Sequence, residues 1–200
     1  MGHATFVKKI MTSNELLISL EKDVQSIISK VQTEFVPLGE EMLNWKEAPD
    51  RWSILECLEH LNKYSQFYNT ELVKVIDSAQ RDSGKVEAKS TWLGKKFIRM
   101  MHPDNSAKQK TFARMKPSQG KLDGTIERFL KHQDELLRLI HKSAFLNINR
   151  NYIPVEFMKL LKMNLGDALQ FVIVHERRHI EQACKVKTTL DALNTPALKI

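Results

Sequence analysis

The chain contains few of the residues that interrupt helices or cross-link a fold. Its 200 residues include only seven glycines and six prolines, which argues against a fold of many short strands and turns. Aromatic residues make up 8% of the chain, and β-branched residues form no alternating, strand-like runs. The two cysteines, Cys57 and Cys184, are far apart and outside any C-x-x-C pair, so we expect reduced thiols rather than a disulfide.

The chain also lacks the signals of a membrane or exported protein. It has no apolar run of about 18 residues and no N-terminal apolar segment followed by a small-residue cleavage site. We therefore expect no membrane span and a cytoplasmic location. The length predicts a single domain over residues 1–200. The net charge of +7 permits contact with anions but does not require nucleic acid.

Four long stretches carry apolar residues at helical spacing. They cover residues 13–44, 53–80, 123–144 and 164–189. Pro37 is expected to interrupt the first helix near Phe35, because proline lacks the backbone N–H of a helix interior. Four amphipathic helices of this length predict an all-α fold, a four-helix bundle. Bundles of this kind build metal and ligand sites from inward-facing side chains.

Several residues are suited to the starts of these helices. Ser53 and Glu56 match a capping box, in which each side chain binds a backbone N–H of the other residue. Asn164 is expected to cap the last helix, and either Ser13 or Asn14 the first.

Two connections separate the later helices. A long basic connection, residues 81–120, lies between the second and third, with a short helix predicted over 92–101. Within it, Trp92 and Phe97 are expected to pack on the bundle. The shorter connection, 147–163, is predicted to hold another short helix over 154–161.

His175 and His179 are the most informative pair of residues in the chain. They lie four positions apart in the last predicted helix, so their side chains share one helix face. Two imidazoles placed in this way can bind one metal ion, which needs nitrogens at ~2.0–2.1 Å. A third ligand is required, and His60 in the second helix is the best candidate because it borders apolar surface.

A purely structural role for these histidines is the alternative. His60 alone could be a hydrogen-bonded residue at the edge of the core, and His175 with His179 a polar seam in a buried helix. Leaving two unpaired imidazoles in an apolar face costs ~1–3 kcal/mol each. Because one cation removes both penalties, we favour the metal-site interpretation.

Residues 175–179 read HERRH and match the zincin protease motif, in which the glutamate is the general base. Here that glutamate is Glu176. A zincin needs a third ligand, usually downstream, but Asp191 is the only carboxylate after Glu181. No clear strand is present to bind a peptide substrate. The protease interpretation is therefore less favoured.

Residues one turn away from the histidines are candidates to orient the rings. Glu56 precedes His60 by one turn and Gln182 follows His179 by one turn, where hydrogen bonds to ligand imidazoles are common. For Glu56, the capping box is the alternative role. Cys57 is a possible fourth ligand, although a small buried thiol is the favoured interpretation.

Two segments together resemble the DinB-like superfamily. They are residues 51–61 (RWSILECLEHL) and residues 175–182 (HERRHIEQ). The similarity extends over essentially the whole chain in helix order and spacing. Within the superfamily it is greatest to the DinB-2 branch, which includes the bacillithiol transferases. The resemblance implies a four-helix bundle and a three-histidine site formed here by His60, His175 and His179.

The resemblance also implies a divalent metal ion such as zinc or nickel, and a homodimer. The expected function is a metal-dependent transferase that activates a low-molecular-weight thiol, or water, for attack on a small electrophile. A related hydrolase is included in this expectation. The alternative is a non-catalytic, metal-binding stress-response protein of the same fold.

The basic connection is the remaining feature with a possible function. Its cations could hold an anionic cosubstrate or nucleic acid. They are Lys95, Lys96, Arg99, Lys108, Lys110, Arg114, Lys116 and Lys121. Charge runs are usually solvated, so we favour a solvated surface over nucleic-acid binding.

Overall fold

The computed structural model describes residues 11–82, 86–107, 109–118, 120 and 122–194. Within these residues, six α-helices, one short 3-10 helix (Ala113–Met115) and two strands follow one another in sequence. The helices are α1 (Ser13–Glu34), α2 (Glu40–Asn44), α3 (Ile54–Ser78), α4 (Trp92–Met101), α5 (Thr125–Ser143) and α6 (Leu165–Asn194). The strands β1 (Tyr152–Val155) and β2 (Met158–Asn164) lie between α5 and α6.

The four long helices form the predicted four-helix bundle. Helix α3 packs against α5 and α6, and α1 packs against the same two helices, so α1 and α3 occupy diagonal positions. Their inward faces supply a continuous apolar core. Its fully buried members include Val24, Phe35, Leu58, Leu72, Phe129, Leu136 and Ile173. Because α3 and α6 are neighbours, side chains from the two helices can meet inside the bundle.

The first predicted helix is interrupted as expected. Helix α1 ends at Glu34, Phe35 is its buried C-cap, and the chain resumes as the short α2. The prediction that Ser13 or Asn14 caps α1 is wrong. Thr12 is the cap, and it forms a capping box with Glu15. Helix α1 therefore begins one residue earlier than it would with Ser13 as its cap.

The helix predicted over 154–161 is wrong, and so is the statement that the chain has no clear strand. Strands β1 and β2 form an antiparallel hairpin, with a register shift between Pro154 and Val155. Ile153, Val155 and Met163 are buried while Tyr152 is exposed. Buried and less buried residues thus alternate along β1 with a period of two, as expected for a sheet that packs one face against the bundle.

The connection between α3 and α5 packs along α6 through α4. Phe97 of α4 is buried next to Phe171 of α6, as predicted. Trp92 is 75% exposed, so its predicted packing on the bundle is wrong; Lys96 lies over its ring instead. No helix within the described residues has both the length and the apolarity needed to cross a membrane.

Candidate metal centre

His60 is placed by the N-terminal half of α3. The predicted capping box begins this helix: Ser53 Oγ accepts from the Glu56 N–H, and the Glu56 carboxylate accepts from the Ser53 N–H. His60 lies two turns further on and is buried. Its neighbours Leu58 and Leu61 are in the apolar core, which fixes the rotation of α3 and turns the imidazole towards α6.

His175 and His179 are placed by α6. Asn164 caps this helix as predicted, because its Oδ1 accepts from the Asp167 N–H at 2.7 Å. The residues of the first two turns are almost all buried, so the helix is anchored firmly at its N-terminal end. His175 is buried and His179 is partly buried, which places the second ring nearer to solvent.

The three imidazoles converge. His60 Nε2 lies 3.2 Å from His175 Nε2, and each histidine offers a ring nitrogen within 4.8 Å of those of the other two. The ring centroids are 4.5 to 5.1 Å apart, and the ring planes are steeply inclined to one another. The rings therefore meet edge to edge around one point, and are not stacked.

Hydrogen bonds to the outer nitrogens fix two of the rings. His60 Nδ1 lies 2.7 Å from the carbonyl oxygen of Met115. A carbonyl only accepts, so Nδ1 carries the proton and Nε2 keeps its lone pair. His179 Nδ1 donates to Gln182 Oε1 at 2.9 Å, with the same consequence. Gln182, a candidate to orient the rings, thus contacts His179.

Glu56 does not orient His60. Its carboxylate binds the Ser53 N–H and the Lys46 ammonium, the latter at 2.6 Å. The backbone of Met115, 55 residues away in sequence, takes the expected place of Glu56. The alternative proposed for Glu56, a role limited to the helix cap, is the one that its contacts support.

All three imidazoles are neutral near pH 7. Burial lowers the pKa of His60 to about 4, against the smaller opposing effect of its hydrogen bond to Met115. Burial, followed by the proximity of His60, lowers the pKa of His179 to about 3. Burial also holds the pKa of His175 well below its usual value. Neutral imidazoles are the form that binds metal.

The donor set fits a divalent metal ion. Four tetrahedral ligands at ~2.0–2.1 Å from zinc lie ~3.3 Å from one another; His60 Nε2 and His175 Nε2 are 3.2 Å apart, and all three ligand nitrogens lie within 4.8 Å of one another. In His60 and His179 the hydrogen bond is at Nδ1, so the lone pair is on Nε2 and points away from that bond. Three neutral ligands and no acidic one leave room for a further ligand.

The histidines lie at a cavity of about 420 Å³. Trp52 forms one wall, with its ring 4.8 Å from that of His60, and Tyr64 contacts His175 at 4.4 Å between ring centroids. Residues from the long connection and from α6 complete the lining. They are Met101, Gln109, Lys110, Thr111, Arg178 and Gln182, with Asp50 and Arg51 at the other side.

Comparison with known proteins identifies the family. A sequence profile of the DinB superfamily matches residues 28–183. The chain belongs to the DinB superfamily. Among curated proteins, no sequence matches it.

A solved structure of similar fold supports the architecture of this DinB-superfamily chain. It is YfiT from Bacillus subtilis, described as a probable metal-dependent hydrolase with an unusual four-helix bundle topology. The TM-score is 0.57, the identity is 10%, and the match covers 96% of this chain and 95% of YfiT. At this identity the likeness concerns the fold alone.

The glutamate of the HERRH motif does not face the cavity in this DinB-superfamily protein. Glu176 is buried, and its Oε1 accepts from Gln133 Nε2 at 2.9 Å and from Ser65 Oγ at 3.4 Å. These partners lie on α5 and α3, within the bundle. The position that a zincin uses for its general base is therefore occupied by a core residue, which argues against a protease.

Cys57, the possible fourth ligand, and the other histidines among the described residues lie outside the three-histidine cluster. Cys57 is a buried free thiol, and burial raises its pKa well above the usual range, which favours the buried-thiol interpretation. His102 and His141 are exposed and lie beside Asp104 and Glu21. His3 lies outside the described residues.

Sequence reasoning missed two contributions to the site. The Met115 carbonyl gives no sequence signal, because every residue has one. Arg178 lines the cavity, and no motif in the sequence assigns it a role.

Proposed function

We propose that the protein is a metal-dependent enzyme in which His60, His175 and His179 hold a divalent cation. The observation that carries the proposal is the convergence of three neutral imidazoles at an open cavity of about 420 Å³. Imidazole ligands suit zinc and nickel. Such an ion, when bound, lowers the pKa of a thiol or water molecule and so supplies a nucleophile.

The chain's own residues prepare the site and limit access to it. Met115 and Gln182 hold the rings of His60 and His179 with their lone pairs at Nε2. Trp52 and Tyr64 present aromatic faces to the cavity, which admits a small substrate and excludes part of the water. Arg51 and Lys110 also line the cavity and favour a substrate that carries a negative charge.

A low-molecular-weight thiol is the nucleophile that the lining favours. Activation of water usually includes a general base within hydrogen-bond reach. Asp50 is the only carboxylate among the described residues that line the cavity, and Glu176 is turned into the bundle. A thiol of pKa ~8.5 needs a much smaller shift than water to ionise near pH 7. The likeness to YfiT, described as a hydrolase, keeps water as the second candidate.

The proposal is tested by metal analysis followed by turnover. The protein is purified without added metal, its metal content is determined, and the zinc and nickel forms are assayed with several bacterial thiols and a model electrophile. We expect conjugation that depends on metal and is lost in His60→Ala. Hydrolysis of ester or amide substrates without thiol transfer would identify water as the nucleophile. Bound metal with no turnover would favour the non-catalytic alternative.

A further inference from the structure

Arg178 fastens the long connection to the helix that carries two of the histidines. Its Nη1 donates to the carbonyl oxygens of Asn105 at 2.8 Å and His102 at 3.2 Å, and its Nη2 donates to that of Ala107 at 3.0 Å. Arg178 lies between His175 and His179 on α6 and is partly buried. Three donors from one planar guanidinium form a rigid attachment that lysine cannot reproduce.

The far end of the same stretch is attached to α3. We call residues 102–107 and 109–118 the covering segment. Within it, the Met115 carbonyl accepts from His60 Nδ1 at 2.7 Å, and the next carbonyl, of Lys116, accepts from Lys63 Nζ at 2.7 Å. The covering segment is therefore attached to both helices that carry the histidines.

The middle of the covering segment forms part of the cavity wall. Gln109, Lys110 and Thr111 line the cavity, and they lie between the residues bound by Arg178 and the residue bound by His60. We expect a displacement at Asn105 or Ala107 to reach Met115, because only a few residues separate them. The orientation of His60 thus depends on where the segment is held.

We propose that Arg178 is a positioning residue of the metal centre: by fastening the covering segment to α6, it places the Met115 carbonyl on His60. This inference rests on the proposed metal site and extends it to a residue outside the proposed set of metal ligands. Loss of the attachment frees His60 to rotate and so weakens metal binding. Removal of hydrogen bonds to ligand imidazoles typically weakens metal binding by 10- to 100-fold.

The charge of Arg178 has the opposite effect, which makes the inference testable. A cation close to the histidines disfavours the binding of another cation. If charge were its only influence, Arg178→Ala would bind metal more tightly and Arg178→Lys would bind it as before. If positioning dominates, both variants bind metal more weakly. The sign of the change in affinity therefore separates the two roles.

Arg177 provides a matched control in the adjacent position. It is exposed, and its Nη1 lies 3.7 Å from Asp23 Oδ1 on α1, away from the covering segment. Arg177→Ala removes the same charge from the same helix without loosening the segment.

Two measurements on the full-length protein test the inference. Titration with Co²⁺, followed through its visible absorption, gives the affinity of each variant. We expect about 10-fold weaker binding in Arg178→Ala and Arg178→Lys, and a change below twofold in Arg177→Ala. Hydrogen–deuterium exchange of the chelator-treated protein should be at least 10-fold faster in the covering segment of both Arg178 variants, with α1 and α5 unchanged, which also shows that the bundle is folded.

Unchanged or tighter Co²⁺ binding in Arg178→Ala overturns the inference, as does unchanged exchange in the covering segment. If the unsubstituted protein binds no Co²⁺, the proposed function fails. In that case the exchange data still decide, independently of metal, whether Arg178 fastens the segment.

Discussion

The imidazole of His60 donates a hydrogen bond from Nδ1 to the carbonyl oxygen of Met115 across 2.7 Å. The two residues are 55 positions apart, one in a bundle helix and the other in the connection that departs from a minimal bundle. This bond assigns the proton of His60 to the outer nitrogen and leaves Nε2 free, 3.2 Å from His175 Nε2. The connection is therefore part of the histidine site and not only a link between helices.

Loss of one histidine should abolish stabilisation by metal. A ligand that binds only the folded state stabilises it by about 2.7 kcal/mol at a concentration 100 times its dissociation constant. We expect zinc to raise the thermal midpoint of the unsubstituted protein and to leave that of His175→Ala unchanged. His141→Ala is the control, because His141 is an exposed residue beside Glu21. If zinc raised the thermal midpoint of all three proteins equally, the metal would bind at a site that does not include His175.

Gln182 should affect metal affinity without affecting the fold. Its Oε1 accepts a hydrogen bond from His179 Nδ1. In Gln182→Ala this ring can therefore rotate, and its proton can move from Nδ1 to Nε2. We expect about 10-fold weaker zinc binding, measured by competition with a chromophoric chelator. Gln170→Ala, which removes only a contact with the Gly166 carbonyl earlier in α6, should bind zinc normally. Equal affinities in the two variants would contradict the role given to Gln182.

The metal-free protein should lose stability as the pH falls below about 6.5. In the unfolded chain the three histidines take up protons at their ordinary pKa near 6.5. In the folded protein burial lowers the pKa of His60 to about 4 and that of His179 to about 3, and it lowers that of His175 as well. Unfolding therefore takes up protons in this range, and each contributes about 1.4 kcal/mol per pH unit.

Glu176 opposes this trend. Burial raises its pKa to about 7, so between pH 4.5 and 7 it is protonated when folded and ionised when unfolded, and unfolding releases one proton. The net uptake is thus smaller than the three histidines alone would give. Urea unfolding in the presence of a chelator at pH 5, 6 and 7 measures the slope. A free energy of unfolding that is constant over this range would contradict the predicted burial of neutral imidazoles.

Glu176→Gln distinguishes a core residue from a general base. Glu176 is bound by Gln133 and Ser65 inside the bundle, so the variant should keep its metal affinity and any turnover within a few fold. Its stability relative to the unsubstituted protein should rise as the pH increases from 5 to 7 and level off above pH 7, because in this range Glu176 is ionised in the unfolded chain but still protonated in the folded protein. Loss of turnover with normal metal content would restore the zincin interpretation.

The helices and their faces were predictable from the sequence because a bundle requires apolar residues at helical spacing. The breaks were predictable where a single residue causes them, as Pro37 does after α1. The hairpin was not, because Ile153, Val155 and Met163 fit a helix or a strand until packing on the bundle is known. Trp92 was likewise expected to pack on the bundle from its helical spacing, but it is exposed.

The sequence determined that His175 and His179 share one face, because their spacing of four residues follows from the geometry of a helix. His60 was predicted as the third ligand from its place beside apolar surface and from the family resemblance, but only the packing of α3 against α6 brings its ring nitrogen within reach of the other two. Only the tertiary structure decided that Met115, and not Glu56, orients His60, and that Glu176 turns away from the cavity. Local spacing sets the direction of a side chain around its own helix, whereas distances between segments depend on how all four helices and the connection pack together.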